Sequence, residues 1–329
     1  MKIFKDKSVL ITGGTGSIGK ALIGKFLNSS VRRIIIFSRD ELKQYDLRTK
    51  LGNDSRFRWF LGDIRDVERL KLALHDVDYV IHAAALKQVD AGEYNPSEFI
   101  KTNVIGSQNI IEASMNSGVK KVIALSTDKA SSPINLYGAT KLTADKLFIS
   151  ANNYSLRYGT EFSVVRYGNV MGSRGSIIPF FRKLAEQNLP IPITDKRMTR
   201  FWITLDFASE FILESFRIMQ GGELYVPKIP SMKIIDLALA VGPDSKLTEI
   251  GIRPGEKLHE EMISSDDSRR TTILRDRFVI NPVIADWGYK APDGLKMSEN
   301  TPYRSDTNDQ WLSRDDIKEF IASEAFIND

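Results

Sequence analysis

The chain reads as an α/β fold, a doubly wound parallel sheet with a smaller carboxyl-terminal lobe, and three features carry that reading. A strand, a glycine-rich turn and a helix follow one another between Ser8 and Asn28. Short apolar runs then alternate with helical periodicities as far as Arg166, the mark of a parallel sheet covered on both faces. After Tyr167 the texture changes to polar, glycine-rich passages punctuated by Pro190, Pro192, Pro227, Pro230 and Pro254, which read as loops and short elements. Residues 1–168 are assigned to the sheet domain, and residues 169–329 mainly to the lobe, partly interleaved with the first.

Composition narrows the classes. A chain of 329 residues can bury a sizeable core. The absence of cysteine removes disulfides, thiolate catalysis and cysteine-ligated metals, and three histidines (His75, His82, His259) argue against a zinc site, so no metal is expected. Lys and Arg exceed Asp and Glu by 46 to 42 with no basic block, which speaks against nucleic acid and suits anionic small molecules. No apolar run approaches the ~20 residues that cross a bilayer, and Met-Lys-Ile-Phe-Lys-Asp-Lys passes straight into a strand. A cytoplasmic protein without a membrane partner is expected.

Ser8 to Thr12 is a short apolar strand opening into Gly13-Gly14-Thr15-Gly16-Ser17-Ile18-Gly19, and Lys20 to Asn28 continues as a helix. Glycines at 13, 16 and 19 let the backbone turn tightly and approach a pyrophosphate, whose charge the free amides at the helix start attract. The spacing is G-x-x-G-x-x-G, looser than the G-x-G-x-x-G fingerprint. The second strand, Arg33 to Phe37, ends in Ser38-Arg39-Asp40, with a helix from Glu41. In dinucleotide folds this tip meets the adenosine ribose. Ser38 and Arg39 offer donors and positive charge there, so a 2′-phosphate and hence NADP is expected; Asp40 falls late for a 2′-hydroxyl.

Arg58 to Leu61 is the third strand, and Asp63 just beyond it is either a contact to the adenine amine or a helix cap. Tyr79-Val80-Ile81 enters His82-Ala83-Ala84-Ala85, whose small side chains permit close approach of a flat ligand. His82 reads as a packed strand end, and Lys87 on the same loop has the reach to meet an anion. Glu93 to Ser117 reads as one long helix with Pro96 near its start. Further helices are expected at Gly175 to Asn188, Leu205 to Met219 and Ile234 to Val241, and the turn Arg253-Pro254-Gly255-Glu256-Lys257 carries both signs of charge, as a diphosphate and a hydroxyl require.

The chemistry is expected between Leu125 and Lys141. The run Val122-Ile123-Ala124-Leu125 is a buried strand ending in Thr127, Asp128 and Lys129, which a parallel sheet presents at its carboxyl edge. Past Pro133 a helix begins, and Tyr137 and Lys141 stand on one face of it. A free tyrosine, with a pKa of about 10, is a poor base near neutrality. A cation at roughly 6 Å and an effective dielectric of about 20 stabilises the phenolate by about 2.8 kcal/mol, or about two pKa units. Lys141 is the obvious source of that charge, and an oxidised nicotinamide would be a second.

Taken together, Thr-Gly-Gly-Thr-Gly-Ser-Ile-Gly at 12 to 19, Tyr137-x-x-x-Lys141 and Arg253-Pro-Gly-Glu256-Lys257 resemble the extended short-chain dehydrogenase/reductase family acting on nucleotide sugars, whose sheet is of the Rossmann type. Ser-Thr-Asp-Lys-Ala at 126 to 130, Ala-Ala-Ala-Leu-Lys at 83 to 87, Arg-Tyr-Gly-Asn-Val at 166 to 170 and Ile-Gly-Ile-Arg-Pro-Gly-Glu-Lys-Leu-His-Glu at 250 to 260 are similar to the inverting UDP-N-acetylglucosamine 4,6-dehydratases of pseudaminic acid biosynthesis, over nearly the whole chain.

The resemblance implies that NADP+ takes hydride from C4 of the sugar, the resulting ketone acidifies the C5 proton, water leaves C6 and the hydride returns to C6. Thr127, Asp128, Lys129, Tyr137 and Lys141 would be catalytic, with the division of acid and base roles between Asp128 and Lys129 open. Gly13, Thr15, Gly16, Ser17, Ile18, Gly19, Ser38, Arg39, Asp40, Glu41, Leu42, Lys43, Asp63, Ile64, Ala84 and Lys141 would hold the cofactor. Lys87, Tyr137, Asn169, Thr194, Arg253 and Glu256 would hold UDP-N-acetylglucosamine, and related enzymes assemble as dimers or hexamers. Dehydratases of the nucleoside-diphosphate-glucose type have glutamate where Lys129 stands, and retaining, membrane-anchored relatives have methionine in place of the tyrosine. The competing readings are a retaining 4,6-dehydratase, a UDP-hexose 4-epimerase and a non-catalytic NADP-dependent regulator.

Overall fold

In a computed structural model that describes residues 1–172 and 177–323, the apolar runs become the parallel strands β1 (Ser8–Thr12), β2 (Arg33–Ser38), β3 (Phe57–Leu61), β4 (Tyr79–His82), β5 (Lys121–Thr127) and β6 (Glu161–Tyr167). They lie side by side in the order β3-β2-β1-β4-β5-β6, every neighbouring pair parallel. The order in which strands are added reverses between β1 and β4, so a crevice opens at their carboxyl ends, between Thr12 and His82.

Continuous apolar runs, as opposed to alternating ones, follow from burial on both faces. Leu10, Ile35, Val80 and Val122 pack into one cluster, while Val9, Ile11, Ile34, Ile36, Ile81 and Ile123 pack into another on the opposite face. A third cluster, with Ile178, Phe181, Trp202, Met232, Leu237 and Ile317, fills the carboxyl-terminal lobe.

Beyond Tyr167 the chain does not stay in the lobe. Leu224–Pro227 adds a parallel strand beside β6, and Arg277–Ile280, Thr271–Ile273 and Leu295–Lys296 extend the same sheet antiparallel. The helix Leu205–Ile218 returns to the first glycine-turn helix, Ser17–Leu27, where Lys25 reaches Asp206 and Glu210 at 2.5 and 2.8 Å. A buried pair crosses the rear of the site: Arg166 of β6 donates to Asp145 at 3.1 Å and to the Met262 carbonyl at 2.9 Å.

Two helical expectations need correction. Glu93 to Ser117 is not one helix: Val89–Tyr94 ends at Asn95, a new helix starts at Pro96, and Ile100–Ile105 is a wider π-helical stretch before Gly106–Asn116. Pro96 has no amide to continue the earlier helix but is suited to start the next. The π turn sets Asn103 against the loop after β4, where its side chain pairs with both the amide and the carbonyl of Leu86 at 2.9 Å. The helix expected over Gly175 to Asn188 runs Ile177–Glu186 among the described residues, and positions 175 and 176 of it lie outside them.

Candidate active site

A cleft of about 1150 Å³ follows the carboxyl edge of the sheet from the β1 turn to the lobe. At its β1 end, Gly13 adopts φ +66°, and a Cβ there would meet the Ala84 Cα at 3.0 Å. A Cβ on Gly19 would lie 2.4 Å from the Gly14 carbonyl oxygen, so the helix start can pack this close only as glycine. Gly16 precedes the helix Ser17–Leu27 without a capping side chain, and a helix start facing the cleft is where an anion is attracted. Thr15, Ser17, Ile18, Ile64, Ala84 and Lys87 line the same stretch. Thr12 ties the two loops together, its hydroxyl accepting from the amides of Ala83 and Ala84 at 3.1 and 3.2 Å.

At the β2 tip, Ser38, Arg39, Asp40 and Lys43 line the cleft, whereas Glu41 and Leu42 do not and Leu42 is exposed. Asp40 caps the helix Glu41–Leu51 by accepting from the Lys43 amide at 3.0 Å. Asp63 is not a helix cap. Asp66 caps Val67–Ala73, and Asp63 accepts from the Arg65 amide and guanidinium and faces Arg39 at 3.7 Å. Burial opposes its charge, but Arg65 wins and holds its carboxyl below the ordinary range. It lies beside the lining residues Gly62 and Ile64 without lining the cleft itself.

At the β5 tip the strand passes into a tight turn, Asp128–Ala130. Thr127 donates to Asp128 Oδ1 at 2.9 Å, and the Lys129 ammonium lies 3.0 Å from that oxygen. The helix Leu136–Ser155 brings Tyr137 and Lys141 to the same place. Gly138 is needed for this docking, because a Cβ there would lie 2.2 Å from the Lys129 carbonyl oxygen. Burial raises the Tyr137 phenol to about 12; Lys129 and a hydrogen bond to Thr127 work against it, Asp128 with it.

The Tyr-x-x-x-Lys spacing points to one cation for the phenol, and the turn supplies another. The cation that most lowers the phenol is Lys129, while Lys141 donates to the Leu125 carbonyl at 2.7 Å. Burial pulls Lys141 below the ordinary lysine range, with Asp145 opposing. Burial raises Asp128 above the carboxylate range despite Lys129, and Glu260 adds to the shift.

On the lobe side, Asn169, Thr194 and Glu256 line the cleft, while Arg253 sits on the exposed turn beyond it and offers its carbonyl to the Glu256 amide. Sequence reasoning did not single out Arg200, Tyr167 or Trp202, which also line it, nor Glu260, whose carboxylate lies 3.2 Å from Lys129. Arg200 sits in an apolar strand, Thr199–Ile203, where a buried arginine was the available signal. Buried polar atoms without a partner collect here: Asp128 Oδ2, Asn169 Oδ1, Trp202 Nε1 and Glu256 Oε2. Such atoms are costly unless a ligand satisfies them. With the glycine cradle at one end and these atoms at the other, the cleft fits a dinucleotide and a second polar ligand end to end.

Comparison with known proteins gives the same picture. Residues 9–282 match the family model described as polysaccharide biosynthesis protein. The chain is 52% identical to the UDP-N-acetylglucosamine 4,6-dehydratase (inverting) of Campylobacter jejuni, covering 97% of this chain and 98% of that one. It is 37% identical to a protein named UDP-glucose 4-epimerase from Rickettsia canadensis, over 99% and 98% of the two chains. Among solved structures, Pen from Bacillus thuringiensis superimposes with a TM-score of 0.89 at 39% identity, covering 98% and 99%. The dTDP-glucose 4,6-dehydratase DesIV from Streptomyces venezuelae, solved with NAD bound, gives 0.68 at 25% identity over 76% and 86%.

Proposed function

The chain belongs to the polysaccharide biosynthesis protein family, and from that premise we infer that it is an inverting UDP-N-acetylglucosamine 4,6-dehydratase, a hydro-lyase, as its Campylobacter relative is named. The observation that carries the reading is the carboxyl of Asp128 and the amine of Lys129, 3.0 Å apart at the strand tip that also receives Tyr137. An epimerase needs a base for the 4-hydroxyl but leaves C5 and C6 alone, so it has no task for that pair.

The cofactor is a nicotinamide dinucleotide, and NADP is the form the β2 tip favours. Arg39 and Lys43 line the cleft there and suit a 2′-phosphate. When bound, it supplies the hydride acceptor that takes hydrogen from C4 and returns it to C6.

The chain's own residues move the protons. Tyr137 takes the proton of the 4-hydroxyl, and its buried phenol needs a further cation beside it to ionise near neutrality. Thr127 holds the 4-oxygen. Asp128, whose burial favours the protonated form, is the acid that releases the 6-hydroxyl as water. Lys129 takes the C5 proton, and a proton delivered to the opposite face of the planar C5 inverts the centre. Lys87, Asn169, Thr194 and Glu256 hold the UDP-sugar, joined by Arg200 in the lining, and Arg253 meets it from the exposed turn at the edge of the cleft.

The product is a UDP-2-acetamido-2,6-dideoxy-β-L-arabino-hexos-4-ulose, the entry to pseudaminic acid biosynthesis and protein glycosylation, made in the cytoplasm by a homo-oligomer. No helix among the described residues is long and apolar enough to cross a membrane. Incubation with UDP-N-acetylglucosamine in deuterated water tests the reading. A 4-keto-6-deoxy product with solvent deuterium at C5 and altered ring couplings by NMR is expected, and recovery of a 4-epimer alone would overturn it.

A further inference from the structure

The Lys129 ammonium is shared by two carboxylates, not one. Asp128 Oδ1 lies 3.0 Å away and Glu260 Oε1 3.2 Å away, their side chains 1% and 2% exposed. Asp128 Oδ2 and Glu260 Oε2 are both buried without a partner. Glu260 arrives from the lobe on a segment that grips the catalytic turn along its length. Lys257 donates to the Ser131 carbonyl at 2.5 Å, Gly255 accepts from Asn135 at 2.8 Å, and Glu261 accepts from the hydroxyls of Ser131 and Ser132 at 2.9 and 2.7 Å. Ser132 is held there at φ +42°, in the left-handed region.

One lysine cannot neutralise two buried carboxylates, so their other neighbours decide which stays charged. Glu260 has a second cation, Arg200, whose Nε is 3.7 Å away and whose guanidinium also reaches Glu256 at 3.2 Å. Among the described residues, the Asp128 side chain has the Thr127 hydroxyl as its one hydrogen-bond partner besides Lys129.

We propose that Glu260 is a positioning residue for the dehydration, a carboxylate that stays charged, orients Lys129 and stabilises the ammonium it becomes, leaving Asp128 to carry the proton that departs with water. The proposal rests on the dehydratase reading above. In the step, the C5–H bond breaks and its proton moves to the Lys129 amine. The bonding pair becomes the C5–C6 double bond, the C6–O bond breaks, and the oxygen leaves as water with the Asp128 proton. Lys129 ends as ammonium and Asp128 as carboxylate, an ion pair formed beside the fixed charge of Glu260. The logic is that of the carboxylate behind the histidine of a hydrolase triad, which aligns the base and stabilises its cation without taking the proton.

The acidities agree with this division. Burial works against the Glu260 charge, but Lys129, Arg200 and Lys257 overrule it and lower its pKa, whereas Asp128 is raised. Lys129 is raised as well, its two carboxylates outweighing burial, so it rests as ammonium and becomes the amine base by passing its proton across the 3.0 Å contact to Asp128. The charged and titratable groups facing Lys129 are Asp128 on its own turn, Glu260 and Lys257 on the lobe segment, Arg200 on Thr199–Ile203, and Tyr137 on Leu136–Ser155.

The test uses the full-length enzyme with its dinucleotide and UDP-N-acetylglucosamine, comparing Glu260→Gln and Glu260→Asp with the unaltered chain. Glu260→Gln is expected to lower kcat at least tenfold with KM within about threefold. The near-ultraviolet absorbance of the reduced nicotinamide should still rise in a single turnover, because Lys129, which remains beside the Tyr137 phenol in this variant, takes no proton in C4 oxidation. Solvent deuterium should enter C5 more slowly, and the pH profile of kcat should move toward acid, since removing the carboxylate charge weakens proton binding by the Asp128–Lys129 pair, which titrates as a unit. Glu260→Asp should recover part of the rate. A Gln variant with unaltered kcat and pH profile would overturn the proposal, as would a slowed one whose profile does not move. If Glu260→Gln fails to fold, an Asp variant that folds but keeps no C5 exchange overturns it too. Failure of the underlying reading looks different: the unaltered enzyme itself would form no 4-keto-6-deoxy sugar.

Discussion

The tips of β2 and β5 lie along the same edge of one sheet, yet they hold their charges by opposite means. At β2, the side chains of Arg39, Asp40, Lys43 and Asp63 are between 24% and 52% exposed, and Asp40 and Lys43 pair within one helical turn. Water screens such pairs, and each contributes little to stability. At β5, Asp128 and Glu260 are almost wholly buried, and Lys129 is shared between its neighbour on the turn and a carboxylate of the lobe that Arg200 also holds. A surface that only binds can leave its charges in water, where they form and exchange partners cheaply. A surface that moves protons has to shift acidities, and only burial among fixed charges does that by several units.

The sharpest way to break the contrast is at β5. Asp128→Asn keeps the shape of the side chain and removes the proton it carries, so kcat is expected to fall about 10²–10⁴-fold, with dinucleotide affinity unchanged in a fluorescence titration. Unimpaired turnover in that variant would move the chemistry elsewhere. Next in size is the support behind the turn. Asp145→Ala leaves the Arg166 guanidinium buried, their side chains being 3% and 2% exposed, without its counter-ion. Breaking a buried pair from one side costs about 3–5 kcal/mol, read as a lower urea midpoint with an unchanged slope. At β2 the expected effect is smaller and confined to binding. Arg39→Ala should weaken NADP about 10–100-fold, the worth of a charged hydrogen bond, and leave NAD affinity as it was. Equal losses for both cofactors would show that Arg39 does not read the 2′-position.

The same contrast explains what could be read from the sequence. The β1 turn, the β2 tip and the β5 tip are local, so Gly13, Arg39 and Asp128 announce themselves within a few residues of a strand end. Tyr137 and Lys141 do so by helical spacing. Glu260 does not, because its meaning comes from Lys129, 131 residues away, and its own surroundings, Leu-His-Glu-Glu-Met, fit an ordinary short strand. Arg200 was hidden for the same reason. The spacing of Tyr137 and Lys141 gives their shared face, but it says nothing of the Leu125 carbonyl that takes the Lys141 ammonium. The break at Pro96 does not show as a gap in helical residues, and the wider turn that follows it, Ile100–Ile105, has no marker of its own in the sequence.

The smallest expected effect probes the ground between the two tips. His82, at the end of β4, is 2% exposed, with Nδ1 2.8 Å from the Thr12 hydroxyl and Nε2 3.4 Å from that of Ser107. Burial, and secondarily Lys141, lower its pKa to about 3. In the unfolded chain it titrates near its ordinary value of about 6.5. Below that pH the unfolded chain takes up a proton that the folded chain refuses, so the neutral, buried histidine stabilises the fold fully above about 6.5 and progressively less as pH falls toward about 3. Between pH ~7.5 and ~5.5 the loss amounts to about 1.4 kcal/mol, one proton across one decade on each side of the unfolded pKa. His82→Gln keeps a polar group for Thr12 and cannot titrate. The difference in unfolding free energy between the two chains, followed by urea denaturation across that range, should therefore drift by about that amount in favour of the variant as the solution is acidified. Every other group titrates in both chains and cancels, so a flat difference would mean that His82 accepts its proton in place, and that the strand between cofactor and acid is wetter than its packing implies.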